Sequence, residues 1–419
     1  MLPSVIVALL VAAFPVWSLT PDTSQTVFSA PSLPLNVQIS PNFSSPFNPR
    51  EYKPYQHVAR CTGINRSIPG NPSTKEIQLP PTLNFLEYTH IITPRASRTL
   101  LLVHGWPSLW SSWSNQIQHF GPSYSLLVPT LRGFGPSTHP GDVQTSGSIS
   151  DIAADLACIM RDAQVETVAC IGHDWGAQVC WEIARARPDL VEAVVGAVVP
   201  YMPSAGNFTP IEEVAKLLPH LTYQVYFEKL TKTAINELNA SIRRTLRATL
   251  RTVDSPPPPE FLTSYQDFLA AWRHVPQIPP MPFFTAEEED YFVEQYEIQG
   301  FDYTLEFYTN PNRIAYYEYV QAQGNFTIHQ PALFIAPTGD PVADWEKAAK
   351  LLRSDSFIPH LTTETIYAAH WPQLEQPKEF NQILQRWLDK LPAPTPSGAL
   401  LLRVHSWAEF FLVSVSILI

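Results

Sequence analysis

Val168-Ala169-Cys170-Ile171-Gly172-His173-Asp174-Trp175-Gly176-Ala177 is the stretch on which the fold turns. An apolar run stops at Gly172, a carboxylate follows between two glycines, and a helix-like segment begins. This layout predicts a buried strand, a cramped turn and a helix whose N-terminus points at Asp174, the arrangement of a nucleophile elbow. Glycine is needed at 172 and 176 because strand and helix approach there too closely for a Cβ. A serine at the apex would point to acyl transfer. Asp174 points instead to attack on an electrophilic carbon, with an ester formed between substrate and enzyme. A plain Gly-Asp turn between two elements would read the same in isolation, so the surroundings decide.

Upstream, Arg98-Thr99-Leu100-Leu101-Leu102-Val103 is a continuous apolar run, as in a parallel strand buried on both faces. It ends in His104-Gly105-Trp106-Pro107, a loop of the kind that lends a backbone N–H to an oxyanion hole. Trp110 to Phe120 suits a helix, and Tyr124 to Pro129 is another short apolar run before the Gly-punctuated loop Leu131 to Ser137. Ser148 to Ala163 has helical spacing, with Ser148 or Ser150 as cap. Downstream, Ala177 to Arg187 is helix-like and Val191 to Val199 strand-like. This alternation predicts an α/β fold with a mostly parallel sheet.

After Pro200 the pattern changes. Helical segments are expected at Ile211 to Leu218, Ala234 to Arg251, Glu260 to Arg273 and Ala286 to Gln299, and ten of the 16 tyrosines lie between residues 205 and 324. This region reads as a helical cap inserted into the sheet domain. The sheet resumes at Ala332 to Ala336, followed by Pro337-Thr338-Gly339-Asp340. A last strand candidate, Thr363 to Tyr367, leads to His370. Pro377 to Leu391 makes an amphipathic closing helix. Two further strand candidates, Lys75 to Leu79 and Leu83 to Ile92, precede the first buried run. The expected organisation is a signal peptide (1–18), an arm (19–72), the core in two parts (73–204 and 326–391), the cap (205–325), and a linker with an apolar tail (392–419).

The chain has 419 residues, 45% of them hydrophobic, enough to bury one large core with an insertion. A formal charge of −11 without a basic cluster excludes nucleic acid as a partner class. Met1 to Leu19 carries no charged side chain and is read as a secretory signal peptide, with an uncleaved anchor as the alternative. Sequons at Asn42, Asn65, Asn239 and Asn325 agree with that address, while the one at Asn207 is discounted for Pro210. The localisation expected is the secretory pathway, extracellular or at the cell surface. The tail from Ala399 to Ile419 leaves membrane association open, as a GPI signal or an interfacial segment. Of four cysteines, Cys170 and Cys180 read as buried small apolar residues. No paired Cys-x-x-Cys spacing supports zinc.

Asp174, Asp340 and His370 all follow strand candidates, in the order nucleophile, acid, histidine. Together with His104-Gly105-Trp106-Pro107, Arg132 to Ser137, Tyr223-Gln224-Val225-Tyr226-Phe227, Leu305 to Asn310 and His370-Trp371-Pro372-Gln373, they carry a resemblance to the α/β-hydrolase-fold epoxide hydrolases of the soluble type, over roughly residues 83 to 391. The resemblance implies an α/β-hydrolase core with an inserted cap. It implies that Asp174 opens an epoxide, assisted by the hydroxyls of Tyr223 and Tyr308, with Tyr226 as runner-up for the first. His370, supported by Asp340, then activates the water that cleaves the ester. The backbone N–H groups of Trp106 and Trp175 form the oxyanion hole. The implied partners are an apolar epoxide and water, with no metal or organic cofactor.

Two alternatives remain at this stage. A haloalkane dehalogenase would share the fold and the aspartate but would hold a halide with Trp175 and a second N–H donor. A secreted binding protein would keep the pocket without turnover.

Overall fold

The structure, a computed structural model, describes residues 41–62 and 83–393. The leader, the strand candidate at 75–79, the Asn65 sequon and the apolar tail lie outside the described residues.

Among the described residues, eight strands form one sheet: β1 (Gln56–Thr62), β2 (Leu83–Ile91), β3 (Thr99–Val103), β4 (Ser125–Pro129), β5 (Val168–His173), β6 (Val191–Ala197), β7 (Ala332–Pro337) and β8 (Leu361–Ile366). Their spatial order is β1-β2-β4-β3-β5-β6-β7-β8. The β1–β2 and β2–β4 pairings are antiparallel and the rest are parallel. The apolar runs are continuous because alternate side chains serve opposite layers. Leu101 and Val103 of β3 and Val168 and Cys170 of β5 face one core. Leu100, Leu102, Ala169 and Ile171 face the other. A strand buried on both faces has no polar side to alternate with.

The helices before the cap are α1 (Ser114–Phe120), α2 (Ile149–Asp162) and α3 (Trp175–Ala186). The cap holds α4 (Ile211–Leu217), α5 (Thr222–Lys229), α6 (Thr231–Asn239), α7 (Ile242–Thr249), α8 (Ala286–Glu297) and α9 (Asn310–Gln323). After it come α10 (Trp345–Leu352), α11 (Ser354–Phe357), α12 (Pro372–Glu375) and α13 (Pro377–Leu388). The two sides of the sheet are covered differently. Helices α2 and α3 bury Ile152, Leu156, Val179 and Ile183 on one face. Helices α1 and α13 bury Ile117, Phe120, Phe380 and Leu384 on the other. Helix α2 starts where Ser148 and Asp151 form a reciprocal capping box, which satisfies two otherwise orphaned N–H groups.

The structure corrects several expectations. The end of the arm is part of the sheet: β1 pairs along the whole of β2. Its inward residues are only Ala59 and Cys61, with Val58 and Arg60 outside, so its apolar alternation is faint. Cys170 and Cys180 are not merely small apolar residues but bond to each other, and Cys61 bonds to Cys158. The helix expected over Ala234 to Arg251 breaks into α6 and α7. The one expected over Glu260 to Arg273 is reduced to a 3-10 turn at Ala270–Trp272. There the N–H groups of Phe268 and Leu269 donate to the Glu237 carboxylate at 3.0 and 2.9 Å, and Leu262 adopts a positive φ of 72°. Both features interrupt an i to i−4 ladder. Helix α9, opened by Pro311 in its first turn, was not foreseen. Asn42 and Asn325 are exposed, but Asn239 uses its amide internally, donating to Asp302 at 2.7 Å and accepting from the Phe301 N–H at 2.8 Å. That engagement leaves the Asn239 nitrogen poorly placed to carry a glycan.

Candidate active site

The parallel register brings the ends of the central strands level. Val103 pairs with Gly172 and Gly172 with Gly196, so the loops after β3 and β5 leave the sheet side by side. The turn between β5 and α3 is cramped as the sequence required. A Cβ on Gly172 would collide with the Gly176 backbone, and one on Gly176 with the carbonyls of Val103 and His104. At the apex Asp174 sits at φ 55°, ψ −124°, a left-handed conformation that a non-glycine residue adopts at a cost of roughly 1–3 kcal/mol. The strained turn lifts the carboxylate off the sheet end, where the loop from β3 meets it. The Trp106 N–H donates to Asp174 Oδ1 at 2.8 Å. A Cβ on Gly105 would lie 2.5 Å from that same oxygen, so only glycine leaves room for it. The peptide bond between Trp106 and Pro107 is cis. Among the described residues the Trp175 N–H makes no corresponding bond to Asp174.

His104 holds this loop in place. Its Nε2 accepts from the Leu131 N–H at 3.0 Å, so its Nδ1–H is the donor to the Gly105 carbonyl at 2.9 Å. Burial lowers its pKa to about 4, which keeps the imidazole neutral for that pairing. His173 does a similar task on the other side. Its Nε2 bonds to the carbonyl of His370 at 2.7 Å, and burial, then the neighbouring His370, lower it to about 4. A neutral imidazole thus anchors the loop that carries His370, whose own ring lies in contact with it.

The loops after β7 and β8 complete the group. His370 Nδ1 lies 2.7 Å from Asp340 Oδ2, and its Nε2 lies 3.4 Å from Asp174 Oδ2. Asp340 is itself fixed by the Trp345 indole N–H at 2.6 Å and by the Val342 N–H at 2.9 Å. Burial pulls the His370 pKa down, but the charges and hydrogen bonds of Asp340 and Asp174 outweigh it and raise the value to about 10. The two carboxylates thus favour the protonated form of His370.

Above the carboxylate stands the cap. Tyr223, on α5, and Tyr308, ending the 3-10 turn Thr304–Tyr308, are both buried, with ring centroids 5.7 Å apart. The Tyr308 ring packs edge-on between Trp106 at 5.4 Å and Trp175 at 5.5 Å. Burial raises both phenols above their ordinary pKa, and the Asp174 charge adds to it. Tyr226 points elsewhere: its hydroxyl donates to Glu237 at 2.9 Å. Trp175 is stacked on Phe307 at 5.4 Å.

Asp174, Tyr223 and His370 line two cavities. The larger, about 330 Å³, runs past Trp175, Met202, Ile211, Leu221 and Phe307. The smaller, about 50 Å³, is closed by Phe261, Leu262, Phe268 and Trp371. A roomier cleft of about 570 Å³ lies against α2 and α3, and none of these groups reaches it. Sequence reasoning missed three residues at the larger cavity. Gln224 follows Tyr223 directly, and Arg313 lies five residues beyond Tyr308 on the unforeseen α9. Glu306, fully buried against His139 at 3.0 Å, is raised well above the carboxylate range by burial. No cluster of His, Cys, Asp and Glu among the described residues could hold a metal ion.

Residues 98–377 match the family model of the alpha/beta hydrolase fold. The chain is 30% identical to epoxide hydrolase A of Mycobacterium tuberculosis over 303 residues, covering 70% of this chain and 90% of the relative. It is 28% identical to the bifunctional epoxide hydrolase 2 of Sus scrofa over 305 residues, covering 72% of this chain and 53% of that protein. It thus spans about half the length of the mammalian relatives it matches. Among solved structures, epoxide hydrolase A from Mycobacterium thermoresistibile superposes with a TM-score of 0.64 at 27% identity, over 81% of this chain and all of that one. A mutant epoxide hydrolase from Vigna radiata shares the fold with a TM-score of 0.62 at 22% identity, over 80% of this chain and 99% of that one. With an aspartate at the elbow, its histidine and acid beside it, and these relatives around it, the chain belongs to the α/β-hydrolase fold family and, within it, to the epoxide hydrolases.

Proposed function

We propose that this protein hydrolyses apolar epoxides to vicinal diols through a covalent ester on Asp174. The observation that carries this reading is the facing of one carboxylate by two buried phenols, with an imidazole 3.4 Å from its second oxygen. Asp174 Oδ2 attacks an epoxide carbon from the side away from the breaking C–O bond. The electron pair of that bond goes to the departing oxygen, which takes a proton from a cap tyrosine. Esterification neutralises Asp174 and removes one of the two charges that hold the proton on His370. The imidazolium then returns a proton to the tyrosinate and becomes a neutral base. His370 takes a proton from water, the hydroxide adds to the ester carbonyl, and the oxyanion meets the Trp106 N–H. On collapse the diol oxygen recovers the His370 proton, and the Asp174 carboxylic acid passes its own to His370, which restores the starting state.

The indole contacts favour this reading over halide release. The Trp106 Nε1–H is committed to Thr304 Oγ1 at 3.1 Å, and the Trp175 ring is stacked on Phe307 and edge-on to Tyr308. The Trp106 indole is therefore not free to cradle a halide. The complete pair of Asp340 and His370 disfavours a binding protein without turnover. A single turnover in heavy-oxygen water tests the mechanism. The first diol should carry an unlabelled oxygen from Asp174 while the label enters the protein. Label in the first diol would exclude the ester.

We further propose a secretory route. The apolar leader, the exposed sequons at Asn42 and Asn325, and two disulfides, which persist in oxidising compartments, support it. Glycosidase treatment of the native protein should increase its gel mobility, and the same treatment should leave the Asn42→Gln, Asn65→Gln, Asn325→Gln variant unchanged.

A further inference from the structure

The two cap phenols are not equivalent. Gln224 Nε2 donates to the Tyr223 oxygen at 3.2 Å, and Gln224 Oε1 in turn accepts from Arg313 Nη2 at 2.7 Å. Among the described residues no such chain reaches Tyr308, whose ring is gripped by Trp106 and Trp175 and lies 5.7 Å from that of Tyr223. The Arg313 guanidinium also lies 5.6 Å from the Trp175 ring centroid and 5.9 Å from that of Tyr308, and its Nε donates to the Phe307 carbonyl at 3.0 Å. It is therefore locked in position over the site rather than free to follow solvent. We propose that Tyr223 is the phenol that gives its proton to the opening epoxide oxygen, that Arg313 acts through Gln224 as the positioning residue that makes it so, and that Tyr308 remains a hydrogen-bond donor throughout.

The physical reason is the product of the step. When the C–O bond breaks and the Tyr223 proton moves to the epoxide oxygen, negative charge appears on the oxygen of a buried Tyr223. An amide donor already aimed at that oxygen, polarised by a cation behind it, stabilises the charge without reorganising. Because Gln224 donates to Tyr223, the hydroxyl proton of Tyr223 is left to point into the cavity. The Arg313 charge acts on both phenols, and it is the hydrogen-bonded link through Gln224 that distinguishes Tyr223. Asp174 raises both phenols, whereas Gln224, Tyr308 and Arg313 all lower Tyr223. Burial lowers the Arg313 pKa from its ordinary value, while Tyr308, Tyr223, Glu228 and Glu212 act in the opposite direction.

This inference rests on the ester-forming reading above, and the test separates the two. With styrene oxide as probe, rapid quenching of wild type measures ester formation on Asp174, and the decay of that ester measures hydrolysis. Gln224→Leu and Arg313→Gln should each slow ring opening roughly ten- to hundredfold, as expected for losing a hydrogen bond to a charged group. Ester hydrolysis should be unmoved. The Gln224→Leu effect should vanish in a Tyr223→Phe background and persist in a Tyr308→Phe background. Gln224→Leu, nearly isosteric, carries the test alone if Arg313→Gln fails to fold by circular dichroism. An effect that persists without Tyr223, or that slows both steps alike, overturns the assignment of roles. Failure of wild type to form any ester overturns the parent reading and this one together.

Discussion

The site has a floor and a roof, and they are built on different terms. The floor is main chain: β3, β5, β7 and β8 end level with one another, and each sheds one loop carrying Trp106, Asp174, Asp340 or His370. Glycines and neutral histidines hold these loops, through contacts as local as the His104 ring to the Gly105 carbonyl. The roof is side chain: Tyr223 and Tyr308 come from elements 85 positions apart in number, brought together by ring packing and by one Arg–Gln chain. Positions set by a sheet register shift little when a neighbour is altered, whereas positions set by interlocked rings depend on every member. The floor is therefore expected to set whether the chemistry runs, and the roof to set how fast the ring opens and on what.

Substitutions can break that division. Asp174→Ala should remove diol formation by roughly 10⁴-fold or more, with the fold and the binding of an epoxide or diol retained; steady-state assay beside circular dichroism measures both. Asp340→Asn should leave ring opening intact and stall water activation, by about 10⁴-fold on the scale seen when the acid behind a catalytic histidine is lost. Its signature is a lasting mass increase on Asp174-containing peptides after exposure to substrate. If the ester fails to accumulate there, floor and roof do not divide the two steps. The Tyr223→Phe, Tyr308→Phe double variant should slow ring opening by about 10²- to 10⁴-fold while hydrolysis of any ester formed proceeds normally.

Two smaller effects sharpen the contrast. Cys61→Ser should destabilise the protein by about 2–5 kcal/mol, since the bond closes a loop with a sequence separation of 97 residues. Activity per folded molecule should be unaffected, because the bond joins β1 to α2, away from the strand ends; denaturant unfolding and kinetics check the two parts. The pH effect follows from His370, whose pKa is raised from its ordinary 6.5 to about 10 by Asp340 and Asp174 against burial. A raised folded-state pKa gives stability that is full below about 6.5 and lost as pH climbs to about 10. Wild type should thus lose melting temperature over that range relative to His370→Gln, whose side chain does not titrate.

The same contrast explains what could be read from sequence. The floor lies in contiguous motifs: the runs into Gly172 and Val103 set period and length, and the residues after them are the loops. The roof does not. Glu260 to Arg273 has helical apolar spacing, yet Glu237, over twenty residues earlier in the chain, captures the Phe268 and Leu269 amides and ends any ladder. Tyr223 and Tyr308 could be named only through the family likeness, because nothing local distinguishes them from Tyr226 or Tyr316. The disulfides escaped for a related reason. Cys170 and Cys180 fall at positions where any small apolar residue would serve, and only the closeness of strand and helix at the elbow joins them. Strand β1 was hidden because its buried face is just Ala59 and Cys61.

Gly105 closes the account of the floor. The volume a methyl group would fill at this position is occupied by Asp174 Oδ1, held there by the next amide in the chain. Part of the nucleophile's pocket is thus a side chain that the protein omits. An alanine at 105 would act as an inhibitor tethered to the main chain: present at one copy per molecule, impossible to dilute, and competing for space with the carboxylate rather than with the substrate. Its cost would fall on kcat and no concentration of epoxide would relieve it.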